Sequence, residues 1–383
     1  MSLKIPFAKP LFSEADEDEI FANIRTVLRS GWLTSGKNVE LLENEFTELI
    51  GTKHAVAVNS CTAGLHSILM ALKLKPSDEV IVPSNTFVAT PNSILYTGAK
   101  PVFADSDPDT FNLSPEDVSE KITQRTRAII AVHLAGNPCD MAALSEVADE
   151  NNLTLLEDSA HAHGAKFQGQ NCGTFGLASA FSFYATKIVT SCEGGMVTTD
   201  DQKIAESVKR IRNQGRGGYG PLEITELGHN YRMSDVHAVI ARNQLGHLES
   251  FIAERQHIAE KYDDFLSNTK WIKPQRVSNH DVCSYYVYLL RLSSSAPIPR
   301  DELAKRLGNE GIGTSILYHP AHRQPLYKQL LEKDPVCPVA TQLGETTLAL
   351  PMFNGMSEEQ FSYIQTKWND SVEPRAEQYA TSR

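Results

Sequence analysis

The chain has 383 residues, of which 41% are hydrophobic and 22% charged, and this ordinary globular composition excludes a disordered, collagen-like or coiled-coil protein. A chain of this length can bury a large core. Its net charge of −11 argues against a dedicated nucleic-acid binder, because such proteins carry an excess of basic residues.

Short apolar strands alternate with helices through the first half of the chain. Hydrophobic spacing predicts helices at 14–29, 39–50, 65–74, 90–97 and 141–151. Apolar runs predict strands at 55–58, 79–83, 100–104, 126–133, 154–158, 178–183 and 196–199. This alternation predicts an α/β fold in which a mostly parallel central sheet is sandwiched between helices.

The pattern changes near residue 250. One or two long helices at 236–266 precede a predicted strand at 284–290 and helices at 300–309 and 357–367. We therefore expect a large α/β domain over residues 1–250 and a smaller α+β domain over residues 251–383, with a frayed polar tail at 373–383. Four aromatic residues are assigned to the core of the smaller domain: Trp271, Tyr285, Tyr286 and Tyr288.

The cysteines and the N terminus bear on the location of the protein. Six scattered cysteines contain no CxxC pair, so we expect reduced thiols rather than disulfides or a zinc ribbon. No apolar stretch approaches about 18 residues, and no signal peptide follows Met1. We expect a cytoplasmic protein without a membrane span.

Asp158 is a candidate functional residue because it ends the predicted strand at 154–158. Ligands of open α/β sheets bind beyond the carboxyl ends of the strands. The structural alternative is that Asp158 caps the N terminus of a following helix, and both interpretations can hold together.

Two further segments carry candidate chemistry. Lys187 follows the predicted strand at 178–183, where burial would lower its pKa and make its amine nucleophilic, although a lysine beside a loop usually reaches solvent. Ser60-Cys-Thr-Ala63 precedes a helix whose N-terminal N–H groups suit a phosphate, although Ser60 or Thr62 could be a plain helix cap. A phosphate cradle, a carboxylate for a protonated pyridine and an imine-forming lysine together match the needs of pyridoxal phosphate.

Several segments in this order resemble the DegT/StrS-type sugar aminotransferases, which are fold-type I pyridoxal-phosphate enzymes. The resemblance extends from Gly31-Trp-Leu-Thr-Ser-Gly36 to Leu348-Ala-Leu-Pro351. The segments between them are Asn59-Ser-Cys-Thr-Ala63, Thr86-Phe-Val-Ala-Thr90, Glu157-Asp-Ser-Ala160, Phe181-Ser-Phe-Tyr-Ala-Thr-Lys187, Glu193-Gly-Gly195 and Gly228-His-Asn-Tyr-Arg-Met233.

The resemblance implies a role for each matching residue. Lys187 would form the Schiff base with pyridoxal 5′-phosphate, and Asp158 would pair with the pyridine nitrogen, which makes these two the catalytic residues. Further cofactor contacts are implied for Phe87, Thr62, Ala63, Cys61, Ser182, His161 and, from the second subunit of a homodimer, Asn230. Substrate contacts are implied for Thr34, Tyr318, Tyr184 and Glu193, and no metal is expected.

Two residues depart from the family pattern. His161 stands where the family usually has a glutamine that contacts the ring hydroxyl of the cofactor, and we expect this imidazole to titrate near neutral pH. Cys61 replaces a glycine in the phosphate turn, where its thiol is expected to add bulk beside the phosphate. Neither change removes an essential function.

The resemblance implies an aminotransferase that carries nitrogen from glutamate to a keto-sugar. The expected acceptor is a nucleotide-linked keto-deoxysugar, or an unusual free sugar such as an 8-oxo octulosonate, on the way to lipopolysaccharide or another surface polysaccharide. The family also contains pyridoxal-phosphate dehydratases with histidine at the lysine position, so the lysine favours transamination while a dehydratase stays the alternative.

Weaker interpretations concern two other groups of residues. The pairs His161/His163 and His319/His322 could be metal ligands, although a bare HxH is a weak signal. A non-catalytic regulator that binds the cofactor is a further alternative. The glycine-rich loop at 215–220 is either an exposed turn or a cover that brings Arg216 to a substrate phosphate.

Overall fold

The computed structural model describes residues 4–217, 223–331 and 334–372. Its helices are α1 (Glu14–Ser30), α2 (Lys37–Ile50), α3 (Cys61–Ala71), α4 (Ala89–Tyr96), α5 (Pro115–Lys121), α6 (Met141–Glu150), α7 (Gln202–Ile211), α8 (Asp235–Leu245), α9 (Leu248–Leu266), α10 (Arg300–Asn309), α11 (Pro325–Leu330), α12 (Pro338–Thr346) and α13 (Glu358–Val372). Its strands are β1 (His54–Val58), β2 (Glu79–Pro83), β3 (Lys100–Ala104), β4 (Thr126–Val132), β5 (Thr154–Asp158), β6 (Lys166–Phe167), β7 (Gln170–Asn171), β8 (Ala178–Ser182), β9 (Gly195–Thr199), β10 (Ile272–Pro274), β11 (Tyr288–Leu292) and β12 (Thr347–Leu350).

The central sheet has seven strands in the order β1-β9-β8-β5-β4-β2-β3. Strand β9 runs antiparallel to both of its neighbours, whereas β8, β5, β4, β2 and β3 pair in parallel. The parallel strands therefore end together at one edge, where loops after β4, β5 and β8 meet. The predicted mostly parallel sheet is confirmed.

Helices cover both faces of this sheet, because successive side chains of each strand point to opposite sides. Along β1, Ala55 and Ala57 pack with α2 and α8, whereas Val56 and Val58 pack with α3 and α7. Along β2, Ile81 faces α5 and α6. Both faces of these strands are buried, which explains why their sequences are continuous apolar runs rather than alternating ones.

A second, three-stranded antiparallel sheet has the order β10-β11-β12. It shares a hydrophobic core with α9, α10 and α13, in which Tyr262, Leu303 and Trp368 are fully buried. The division of the chain near residue 250 stays a prediction, because α9 runs across this point and contributes Ile252 to the core of the large sheet and Tyr262 to the core of the small one.

Several local predictions differ from the structure. The predicted strand at 284–290 is wrong in its first half, since β11 begins at Tyr288. Helices α5, α7, α11 and α12 were not expected from the periodicity. The six cysteines are free thiols, as expected, and Cys192 is the exposed one. Within the described ranges no helix is both long and apolar enough to cross a bilayer. The tail at 373–383 and part of the loop at 215–220 lie outside the described residues.

Candidate active site

A cavity of about 490 Å³ opens at the edge where the parallel strands end. Ligands of α/β folds bind at this edge. Most of the residues that the sequence singled out line it: Cys61, Thr62, Phe87, Asp158, His161, Ser182, Tyr184, Lys187, Glu193 and Tyr318.

Three of the predicted residues do not line the cavity of a single chain. The backbone N–H of Ala63 donates a hydrogen bond of 3.1 Å to the Ser60 hydroxyl. Thr34 and Asn230 are exposed and lie outside the cavity wall. The predicted substrate contact of Thr34, and the phosphate contact of Asn230 from a second subunit, stay predictions.

Asp158 ends β5 and is buried. Its Oδ2 accepts a hydrogen bond of 2.7 Å from Thr90, and its Oδ1 accepts one of 3.1 Å from the Ala160 backbone. Burial raises the pKa of Asp158, while these hydrogen bonds and the charge of Lys187 act against that rise. The interpretation of Asp158 as a helix cap is wrong, because residues 159–165 form turns rather than a helix.

Thr90 lines the cavity and was missed by the sequence analysis. It lies in the first turn of α4, where its hydroxyl contacts that of Thr86 at 3.0 Å and donates to Asp158. Both threonines line the cavity. No sequence signal indicated this contact, because Thr90 reads as an ordinary residue of a helix start.

Lys187 lies in the turn after β8 and is half-buried. Its backbone N–H donates to the carbonyl of Tyr184 at 2.9 Å, which closes the turn. Burial lowers the pKa of Lys187 to about 8, although Cys61 and Asp158 on the cavity wall act in the opposite direction. Lys187 lines the cavity and is half-buried, so it is not a fully solvated lysine.

Tyr286 lines the same cavity, which corrects its assignment to the core of the smaller domain. The Nζ atom of Lys187 lies over its ring, 4.3 Å from the centroid. Long-range bonds hold Tyr286 there, because its backbone N–H donates to the carbonyl of Ala135 and its own carbonyl accepts from Arg255. The local sequence around Tyr286 favours a strand. Its hydrogen-bond partners Ala135 and Arg255 lie about 150 and 30 residues away in the chain, so the local pattern does not indicate them.

His161 is buried, and its ring stacks on that of Tyr286 with centroids 4.3 Å apart. Its Nδ1 accepts a hydrogen bond of 3.2 Å from the Ala135 backbone, which leaves the proton on Nε2 in the neutral ring. Burial and the nearby charges of Lys187 and His163 lower the pKa of His161 well below its usual value. The expectation of titration near neutral pH is therefore wrong.

The first turn of α3 forms one end of the cavity. Ser60 caps this helix, which confirms the structural interpretation, and the first N–H groups of a helix have no intrahelical acceptor. The Cys61 thiol lies 3.5 Å from the Ala180 carbonyl and 3.9 Å from Oδ1 of Asp158. The thiol therefore lies beside the Asp158 carboxylate, and the bulk that it was expected to add beside a phosphate stays a prediction.

A buried hydrogen-bond network supports the strand end behind Asp158. Glu157 accepts a hydrogen bond of 3.0 Å from Nε2 of His133. The same carboxylate accepts three backbone N–H groups of the turn at 173–176, at 2.6 to 2.8 Å. A fully buried charge requires this many partners, so Glu157 fixes the loop beside β5.

The residues of the cavity fit pyridoxal phosphate. The close approach of β9 to α3 depends on Gly195, where a Cβ atom would lie 2.6 Å from the backbone of Ser60 and Cys61. The helix turn and the hydroxyls of Thr62 and Ser182 suit a phosphate, and the carboxylate of Asp158 suits a pyridinium.

Two of the four candidate metal ligands have other partners. His161 accepts from the Ala135 backbone, and the buried His322 forms hydrogen bonds with Ser84 and Thr341. In the parts of the chain that the structure describes, no group of three or more histidine, cysteine or acidic side chains is arranged to hold a metal ion.

Comparison with known proteins agrees with this geometry. Residues 14–368 match the DegT/DnrJ/EryC1/StrS aminotransferase family. The chain is 36% identical over 361 residues to GDP-perosamine synthase of Escherichia coli O157:H7, which covers 94% of this chain and 96% of that protein. It is 36% identical over 368 residues to the spore coat polysaccharide biosynthesis protein SpsC of Bacillus subtilis strain 168, covering 93% and 94% of the two chains. The PLP-form structure of the putative sugar aminotransferase Spr1654 from Streptococcus pneumoniae superposes with a TM-score of 0.89 at 29% identity, over 96% of this chain and 98% of that one.

Proposed function

Because the chain belongs to the DegT/DnrJ/EryC1/StrS aminotransferase family, we propose that it moves an amino group from glutamate to a keto-sugar with pyridoxal 5′-phosphate as its cofactor. One observation carries the proposal. The amine of Lys187, the buried carboxylate of Asp158 and the N-terminal turn of α3 surround a single cavity. These three groups are the ones that such a cofactor needs.

Each end of the cofactor has matching groups in the chain. The turn at 61–63, together with the hydroxyls of Thr62 and Ser182, would bind the phosphate. Phe87 offers a ring that is 55% exposed at the cavity wall and suits contact with a flat aromatic group. The Nε2–H of His161 would donate to the ring hydroxyl, as the glutamine of the family does. When bound, pyridoxal phosphate supplies an aldehyde that exchanges amino groups and a ring that accepts electron density from a breaking C–H bond.

The amine of Lys187 would move the proton between the substrate carbon and the cofactor. A general base must be unprotonated, and a pKa of about 8 leaves about a tenth of the amines neutral at pH 7. An unperturbed lysine would be neutral in fewer than about one molecule in a thousand at that pH. Burial in the cavity therefore prepares this lysine for proton transfer.

Asp158 would hold a positive charge on the pyridine nitrogen. Two hydrogen bonds fix its carboxylate, one from the hydroxyl of Thr90 and one from the backbone of Ala160. A carboxylate fixed in this way does not have to reorganise when charge develops on the ring. Its pKa is raised by burial, and a positively charged partner would stabilise the ionised form.

The substrate would enter between aromatic and acidic side chains. Tyr184 and Glu193 are exposed at the cavity, and Tyr318 and Phe87 pack against each other in its wall, with ring centroids 5.6 Å apart. The proposed acceptor is a nucleotide-linked keto-deoxysugar that is aminated for a surface polysaccharide such as lipopolysaccharide. In support, one relative is named for a GDP-linked sugar and another for the biosynthesis of a spore coat polysaccharide. A free keto-sugar or aldehydo-sugar, such as an 8-oxo octulosonate, is the second acceptor to test.

We further propose a homodimer with shared active sites. Thr34 and Asn230 are exposed outside the cavity of their own chain, so a partner subunit could bring them to its neighbour. Large apolar side chains near Thr34 are also exposed, among them Trp32 at 54% and Leu33 at 49%. An interface would remove this apolar surface from water.

The experiment is a screen of keto-sugars with glutamate, read by release of 2-oxoglutarate and by mass spectrometry of the sugar product. We expect glutamate-dependent formation of an amino sugar from at least one nucleotide-linked keto-deoxysugar, and no product with Lys187→Ala. A sugar that loses water without any need for glutamate would instead identify a dehydratase. Substantial transamination by Lys187→Ala would reject the assignment of the lysine.

A further inference from the structure

The ring of Tyr286 contacts both the amine and the imidazole of the cavity. Nζ of Lys187 lies 4.3 Å from the ring centroid, and the ring of His161 stacks on it at an interplanar angle of 21°. An ammonium group within about 6 Å of an aromatic ring face is attracted by the ring quadrupole. The tyrosine is therefore placed to interact with the charged form of Lys187.

The position of the tyrosine ring is fixed from three sides. Its backbone N–H donates to the Ala135 carbonyl at 2.9 Å, and its carbonyl accepts from the buried guanidinium of Arg255 at 3.1 Å. Its hydroxyl contacts that of Thr186 at 2.9 Å, one residue before Lys187. A ring held this firmly offers a binding surface that needs little ordering when the amine reaches it.

The stacked imidazole keeps the tyrosine ring available to a cation. The neutral form of His161 is fixed by the backbone N–H of Ala135 on Nδ1. Burial and the charge of Lys187 lower the pKa of His161 well below its usual value, so it brings no second positive charge to the ring. The amine of Lys187 is therefore the one cation that contacts the stacked rings of Tyr286 and His161 among these three side chains.

We propose that Tyr286 is a positioning residue that docks the ammonium form of Lys187 on its ring face. This inference rests on the proposed role of Lys187 as the amine that transfers protons. Docking defines the position of the amine in its protonated form, and the attraction to the ring offsets part of the free-energy cost of burying the ammonium charge. Because Tyr286 lies just before β11, the segment that enters the second sheet also positions the reactive amine.

Other groups also influence the charge of this amine, so the contribution of Tyr286 must be separated from theirs. They are Cys61 of α3, Asp158 of β5, His161 and His163 of the turn after β5, Glu193 of the turn before β9, and Tyr318 of the loop after α10. A change that alters only the electron distribution of ring 286 leaves all of them in place.

The test measures the pKa of Lys187 in the full-length, cofactor-free protein by competitive acetylation and peptide mass spectrometry from about pH 6 to about pH 10. Tyr286→Phe keeps the ring, and pentafluorophenylalanine at position 286 keeps the size while reversing the ring quadrupole. Tyr286→Leu removes the ring, and Tyr285→Leu is the matched control one residue away, outside the cavity.

We expect the wild type, Tyr286→Phe and Tyr285→Leu to share one pKa for Lys187, and the fluorinated ring and Tyr286→Leu to lower it by about one unit. If Tyr286→Leu does not fold, the comparison of the two rings of equal size decides. Equal pKa values for phenylalanine and its fluorinated form would overturn the proposal. Because no cofactor or substrate is added, the result stands whether or not the protein proves to be an aminotransferase.

Discussion

Thr90→Val tests whether the hydroxyl of Thr90 keeps Asp158 ionised. The substitution conserves shape but removes the donor that lies 2.7 Å from Oδ2, which leaves the carboxylate with the backbone bond from Ala160 and the long thiol contact of Cys61 at 3.9 Å. A hydrogen bond to a charged group stabilises it by about 1.5–3 kcal/mol. Since about 1.4 kcal/mol corresponds to one pKa unit, the pKa of Asp158 should rise by about one to two further units.

The kinetic consequence follows from the same free energy. If the ionised carboxylate is needed in the transition state, kcat/KM for glutamate should fall by about 10- to 100-fold. The assay is the half-reaction with glutamate, followed by the absorbance of the cofactor under single-turnover conditions. Thr90→Ser, which keeps the hydroxyl, should recover most of the rate.

Thr97→Val is the matched control for this prediction. Thr97 directly follows the same helix, and its hydroxyl donates to the carbonyl of Ile94 at 2.7 Å rather than to a cavity residue. We expect the glutamate half-reaction of Thr97→Val to be as fast as that of the wild type. A rate for Thr90→Val within twofold of Thr97→Val would refute the claim that this hydroxyl supports the carboxylate.

Three further predictions concern buried ionisable groups. Lys187→Met should stabilise the cofactor-free protein by up to about 3 kcal/mol below pH 8, because the pKa of the lysine is about 8 in the folded state and 10.5 in the unfolded state. This gain in stability should vanish as the pH rises to about 10.5. Urea unfolding at a series of pH values measures the gain, and a gain that persists at high pH contradicts the reasoning. Glu157→Ala should destabilise the fold by about 3–5 kcal/mol, because His133 and three backbone donors lose their acceptor. Thermal unfolding measures the effect, with Glu249→Ala as a control at an exposed glutamate. A fall in melting temperature no larger than that of the control would contradict this prediction. His161→Gln should leave the shape of the pH–rate profile between about pH 6 and pH 8 unchanged, since the pKa of His161 lies well below that range; loss of a limb of the profile would show that the imidazole titrates.

The central sheet could be predicted because its signals are local. Strands β2, β3 and β5 are apolar runs with turn-forming residues on both sides, and their predicted limits match the structure. Asp158 and Lys187 could be located for a related reason, since Asp158 ends such a strand and Lys187 follows another at the edge where ligands bind. Lys187 and Asp158 then reach one cavity because β5 and β8 are neighbours in the sheet.

The surroundings of these two residues could not be predicted, because they depend on contacts between distant segments. Tyr286 continues an apolar, β-prone run and is drawn out of the second sheet by Arg255 and Ala135. The low pKa of His161 follows from burial, which a sequence does not display. Thr90 resembles an ordinary residue of a helix start until its partner is known.

The proposed chemistry depends most on a covalent bond between Lys187 and the cofactor aldehyde. The direct measurement is borohydride reduction of the protein loaded with pyridoxal phosphate, followed by digestion and peptide mass spectrometry, with Lys187→Met as the control. We expect one phosphopyridoxyl group, on Lys187, and none in the variant. A group on another lysine, or a protein that takes up no cofactor, would contradict the account.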